Sequence, residues 1–152
     1  MGNGDLLARI ERLEDMEAIR SLILSYGPLA DRGEAEAVSQ LWTEDGIYAV
    51  GGYHEAKGRE EIAALILSPM HQGFMKQGCA HMLSAPDIRI KGSSAVVQNY
   101  SVLFLNQGEN FTPWRVSANL WKLIKSDSKW LVQRRDNAPL MGDDAARALL
   151  KI

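Results

Sequence analysis

The chain carries one cysteine, Cys79, in 152 residues, so it cannot hold an internal disulfide, and a reducing cytoplasm is the expected location. It also lacks a charge bias. Its 17 basic and 19 acidic residues leave a formal net charge of -2, which offers no footprint for nucleic acid or for an anionic membrane. No apolar run approaches membrane-spanning length, and the first residues have no basic segment leading into an apolar one, so neither a membrane span nor a secretory signal is expected. Three scattered histidines and one cysteine make no metal-ligand spacing. A Gly-rich phosphate loop, a Gly-x-Ser-x-Gly elbow and a His-Glu-x-x-His helix are all missing. The expectation is therefore chemistry with no metal and no cofactor.

What is present is the composition of one ordinary globular domain, residues 1–152, large enough for a full core. Apolar residues recur at helical spacing from Leu6 through Ile10, Leu13, Ile19, Leu22 and Ile23, which predicts a long helix over 5–31 with a charged face opposite. Pro28 should bend or end it, and Gly33 can supply the left-handed residue that closes it. A second helix is expected over 34–42, a turn over 43–46 and a short strand over 47–50. Gly51-Gly52 then allow residues 53–56 to return as a hairpin arm. Residues 58–67 read as a helix with two carboxylates in its first turn, ended by Ser68-Pro69. Residues 70–79 read as a mobile loop. Beyond them the period changes to that of strands, over 80–91, 94–106, 113–125 and 129–138, joined mostly by hairpin-length turns. A terminal helix covers 143–150. Helices first and a mainly antiparallel sheet afterwards make the α+β class.

Asp31 lies at the end of the first helix, where the macrodipole should push its pKa upward. Asp31-Arg-Gly-Glu34 also fits a capping box, with Asp31 as N-cap of the next helix. His81 opens a strand that Pro86 should bend, and a histidine between Met and Leu can be structural or catalytic. His54 and His71 are assigned to the surface. On the strand 113–125 the even-numbered set, Trp114 to Lys122, is the better core face. Ser117 and Asn119 then share the other side, facing solvent or a polar cavity. Either Arg134 or Arg135 can supply a cation to a pocket. Tyr48 and Tyr100 can be core or can offer a phenol to a ligand, and the four tryptophans read mostly as core. A histidine, a carboxylate, tyrosines and an arginine together suit proton abstraction.

Ile19-Arg-Ser-Leu22, Tyr26, Asp31-Arg-Gly33, Leu41-Trp-Thr-Glu-Asp-Gly46, Gly58-Arg-Glu-Glu-Ile62, His81, Pro86-Asp-Ile88, Ser94-Ala-Val96 and Lys129-Trp-Leu-Val-Gln-Arg-Arg135 follow one another in an order that resembles the SnoaL-like branch of the nuclear transport factor 2-like superfamily, which includes scytalone dehydratase. The resemblance implies a cone-shaped α+β barrel, a strongly bent sheet wrapped around the N-terminal helices. It implies that Asp31 orients His81 as a general base. Tyr26, Tyr48, Asn119, Ser117, Arg135 and Trp42 form the implied substrate-binding set. The second histidine of scytalone dehydratase has no clear counterpart. The implied activity is a cofactor-independent lyase, a dehydratase acting on a small hydrophobic cyclic or polyketide-like molecule. An isomerase or cyclase, or a non-catalytic ligand-binding module, would use the same pocket. The extensive apolar sheet face points to a homo-oligomer, dimer or trimer.

Overall fold

In the computed structural model, which describes residues 2–152, helix α1 (Asn3–Asp31) runs unbroken past Pro28. The proline sits in the last turn, so its missing N–H removes one bond near an end that is already closing. Arg32 and Gly33 donate backbone bonds to Pro28 and Ala30, and Gly33 takes the expected left-handed φ of 73°. Only the second half of α1 is covered. Ile19, Ile23, Tyr26, Gly27 and Ala30 are buried, whereas Leu6, Leu7, Ile10 and Leu13 stay exposed.

The second helix, α2 (Ala35–Ser39), is shorter than expected because strand β1 (Trp42–Val50) has already begun. The turn expected at 43–46 survives as an irregularity inside that strand. Trp42 pairs with Val132 and Ile47 with Arg134, so five steps on β1 face two on its neighbour. Two positive-φ glycines, Gly51 and Gly52, then turn the chain into β2 (His54–Lys57), as expected.

Helix α3 (Gly58–Leu67) is followed at once by α4 (Pro69–Gln77), where a loop was expected. Ser68-Pro69, read as a stop, is also a start. The Ser68 hydroxyl accepts from the His71 N–H, and proline at the first helical position loses nothing. The strand expected over 80–91 is divided at Pro86 into β3 (Cys79–Leu83) and β4 (Asp87–Lys91), both paired with β5 (Ser94–Asn106). Two long strands, β6 (Phe111–Ser126) and β7 (Lys129–Pro139), and a short helix α5 (Asp144–Ala148) complete the chain.

The sheet runs β2-β1-β7-β6-β5-β3 with β4 further along β5. Every pairing is antiparallel except β1 with β7. The architecture is the expected α+β class with a curved sheet, but the sheet stays open, with no bond from β2 round to β3, so it is not a closed barrel. The second half of α1, α3 and the concave sheet face enclose a core of Ile19, Ile23, Ile62, Trp42, Trp121, Leu123 and Val132.

The parity of β6 and a bulge on β7 decide what faces that interior. On β6 the inward face is Ser117, Asn119, Trp121 and Leu123, the reverse of the expected one; of the expected face only Ala118 is buried, while Trp114 and Val116 lie exposed on the convex side. On β7, Lys122 faces Arg134 but Leu123 faces Val132, leaving Gln133 as the extra residue of a bulge. The bulge switches the inward parity from Trp130 and Val132 to Arg135 and Asn137. Arg134 is turned outward, onto Glu55 and Asp136. No helix among the described residues is long and apolar enough to cross a membrane.

Candidate functional site

Asp31, the last residue of α1, meets His81 on β3 although fifty positions separate them. One carboxylate oxygen lies 2.6 Å from His81 Nδ1, and the other accepts the His81 backbone N–H at 2.9 Å. The Cys79 thiol also reaches the first oxygen, at 3.5 Å. The approach depends on Gly27, because a Cβ there would stand 2.1 Å from the His81 carbonyl oxygen. Sequence reasoning passed over Gly27. Its signal was a glycine placed mid-helix where no cap needs it, at a cost of about 1 kcal/mol relative to alanine.

Two expectations about Asp31 are corrected. It is not a helix cap: the N-cap of α2 is Glu34, which makes no side-chain cap bond. Its pKa is lowered, not raised. Burial pushes it up, but the bonds from the His81 ring and backbone, the charge of His81 and the Cys79 thiol outweigh that and the adverse helix end. The Cys79 thiol is driven the other way, to about 11, by burial and by the Asp31 charge.

His71, expected at the surface, is buried. Helix α4 lays its ring over His81, with centroids 5.4 Å apart and planes 27° from parallel, and its Nε2–H donates to the Ala30 carbonyl at 2.7 Å. Burial lowers its pKa, aided by the charge of His81 and opposed by the Ala30 bond and Asp31. In their neutral forms the two rings take opposite tautomers, set by their hydrogen-bond partners: His71 holds its hydrogen on Nε2. With Asp31 ionised, His81 holds it on Nδ1 and leaves its own Nε2 lone pair uncommitted. His54 is exposed, as expected.

His81, Tyr26 and Tyr48 line a narrow interior cavity, together with Ser117, Arg135, Asn137 and Arg115. Tyr26, Tyr48, His81 and Arg115 also line an adjoining outer cleft, walled by His71, Met70 and Phe74 from α4. Tyr26 stands edge-on to His81, at 6.2 Å, and to Tyr48, at 6.1 Å. Burial and the neighbouring Tyr48 hold its phenol far above the ordinary range, partly offset by Arg135, so it remains a donor.

Arg135 is the expected cation and Arg134 is not. The Arg135 guanidinium lies 4.2 to 4.6 Å from the ring centres of Trp121, Tyr26 and Tyr48. Its Nε and Nη2 donate to Asn119 Oδ1 at 3.0 and 2.9 Å. Asn119 and Trp42, expected to touch substrate, instead lie behind the lining. Asn119 is fully buried and clamps the arginine, and Trp42 stacks on Tyr48 at 5.6 Å. Tyr100 and Trp114 belong to the convex surface.

The metal-ligand spacing absent from the sequence is partly made by the fold, since the ligand atoms of Asp31, Cys79 and His81 fall within 4.8 Å of one another. These are the residues that could hold an ion, which would have to displace both the Nδ1 proton and the thiol proton.

A family model described as a SnoaL-like domain matches residues 11–136. No curated protein matches the chain. Among solved structures, an NTF2-like protein with a cystatin-like fold from Novosphingobium aromaticivorans is 48% identical, with 99% of this chain and 98% of that one covered and a TM-score of 0.97. A candidate scytalone dehydratase from the same organism is 19% identical over 88% of this chain and 89% of its own, with a TM-score of 0.73. A Catenulispora acidiphila protein solved in complex with S-DNPA is 18% identical over 89% and 96%, with a TM-score of 0.71. The last two share the fold. With the model spanning most of the chain and the first structure nearly superimposable, this protein belongs to the SnoaL-like family, which includes polyketide cyclases and dehydratases.

Proposed function

We propose that the protein is a cofactor-independent lyase, a dehydratase or related elimination enzyme acting on a small hydrophobic cyclic or polyketide-like molecule. One observation carries the reading: Asp31 takes the Nδ1 side of His81 at 2.6 Å, while the ring borders the cavity. An imidazole held this way presents Nε2 as a base, and the carboxylate stabilises the imidazolium that forms. His81 Nε2 removes the proton beside a carbonyl, and the electron pair moves onto the carbonyl oxygen. The Tyr26 and Tyr48 hydroxyls donate to that oxygen as its charge grows. The enolate then collapses, the β-hydroxyl leaves, and it takes the proton from Nε2–H to depart as water.

The test is a panel of small cyclic β-hydroxy ketones followed by mass spectrometry. Wild type should release one water from at least one member, and both His81→Ala and Asp31→Asn should lose that activity while keeping the wild-type circular dichroism spectrum. A His81→Ala enzyme as active as wild type overturns the mechanism. A His81-dependent product of unchanged mass assigns the same base to an isomerase or cyclase instead.

A homo-oligomer is part of the proposal. Met82, Tyr100, Trp114 and Val116 expose apolar surface on neighbouring convex strands, with Val102 paired to both Met82 and Val116. Analytical ultracentrifugation should give a dimer or trimer mass, and Val116→Glu should reduce it. A monomer at micromolar concentration contradicts this.

A further inference from the structure

We infer that the substrate carries an anionic oxygen, a carboxylate, which docks against Arg135 at the end of the cavity away from the bulk solvent. The inference rests on the reading of the cavity as a substrate site and deepens it by naming the charge of the substrate. Three observations point the same way.

Arg135 is 2% exposed, yet no carboxylate lies within ion-pairing distance of it among the described residues. Nε and Nη2 are held by Asn119, but Nη1 has no hydrogen-bond partner among the described residues. A buried cation is ordinarily paired, because leaving it alone in a low-dielectric interior is costly. The faces of Tyr26, Tyr48 and Trp121 soften that cost without supplying an opposite charge.

The lining repeats the pattern. Its eleven residues include two arginines, Arg135 and Arg115, and no aspartate or glutamate. Asp31 is outside the lining and is occupied by the His81 ring and backbone. The field inside the cavity is therefore positive, and low-dielectric walls strengthen it.

The arginine is also fixed in place. Asn119 Oδ1 accepts from Arg135 twice and from Asn137 Nδ2, while Asn119 Nδ2 donates to Ser101 at 3.0 Å. A guanidinium fixed by a network that serves no other charge is preorganised for a planar oxygen pair. With the acid end at Arg135 and the reacting C–H at His81, the anion selects and orients the substrate while the base works at the other end.

The probes are benzoate and its neutral counterpart acetophenone, each titrated into wild type, Arg135→Gln and His81→Ala by calorimetry and by NMR of arginine side-chain signals. Benzoate should bind wild type at least about tenfold more tightly than acetophenone, as expected for a charge-assisted contact. Arg135→Gln, which keeps an amide for Asn119, should erase that preference, and His81→Ala should retain it. Benzoate should also move the Arg135 side-chain resonance in wild type, a readout that needs no variant to fold. Equal affinity for the two probes, or an Arg135 signal that benzoate leaves unmoved, overturns the inference. His81-dependent turnover of neutral ketones without any benzoate preference would leave the elimination reading standing and remove this one. A benzoate preference that survives in a protein with no His81-dependent turnover would do the reverse.

Discussion

On one side of the cavity His81 has a carboxylate 2.6 Å away and is still reachable from the outer cleft; on the other, Arg135 is packed among three aromatic rings and has no carboxylate partner among the described residues. The first end is a compensated pair, in which a proton can move because the charge it creates already has a neighbour. The second holds a permanent charge whose protonation state cannot change near neutral pH. One end is built to change charge and the other to keep it. Substitutions at the two ends should fail in different ways.

The largest expected effect lies at the changing end. His81→Ala should lower turnover by about 10²–10⁴-fold, the usual worth of a positioned base, with little loss of stability, as turnover and thermal melts together would read out. Gly27→Ala breaks the same end from behind. Its new Cβ would stand 2.1 Å from a backbone oxygen, so helix or strand must shift, at about 1–3 kcal/mol in chemical denaturation and with lost activity. At the fixed end, Asn119→Ala should destabilise by about 1–3 kcal/mol, because it leaves buried donors on Arg135 and Asn137 unpaired. Arg134→Ala, one strand position away but facing outward, should change stability by less than about 1 kcal/mol.

The changing end should also show in the pH dependence of stability. Burial, the largest influence on His71, depresses its folded pKa, so the unfolded chain binds that proton first. Its stabilising contribution is complete above the unfolded value of about 6.5 and is lost as pH falls below it. Asp31 acts in the same direction at lower pH, with its contribution complete above about 3.9 and lost as pH falls through the depressed folded value. Denaturant melts of wild type and His71→Gln should differ in slope below pH 6.5, and melts of Asp31→Asn should flatten only below about pH 4.

Much of this was legible in the residues. Gly33 and the paired glycines 51 and 52 announced their turns, the helix at 58–67 announced itself by its charged first turn, and the order of motifs carried the family. What stayed hidden was set by tertiary packing. Ser68-Pro69 ends one helix and begins another with the same two residues, so α4 and the burial of His71 were invisible locally. The parity of β6 was misread because its most apolar face looks outward, while Ser117 and Asn119 serve the cavity side. One extra residue at Gln133 decided between Arg134 and Arg135, and a bulge of that kind has no local signature when both arginines are plausible. The Asp31 pKa went against the helix dipole because partners fifty positions away outweigh it.

The most direct test of the central claim is ¹⁵N NMR of the imidazole nitrogens, in wild type and in Asp31→Asn, at a pH where the rings are neutral. Wild-type His81 should carry its hydrogen on Nδ1 and His71 on Nε2, and Asp31→Asn should disturb the first and spare the second. A wild-type His81 protonated on Nε2, or one indifferent to Asp31→Asn, would mean that no base faces the cavity and would contradict the mechanism.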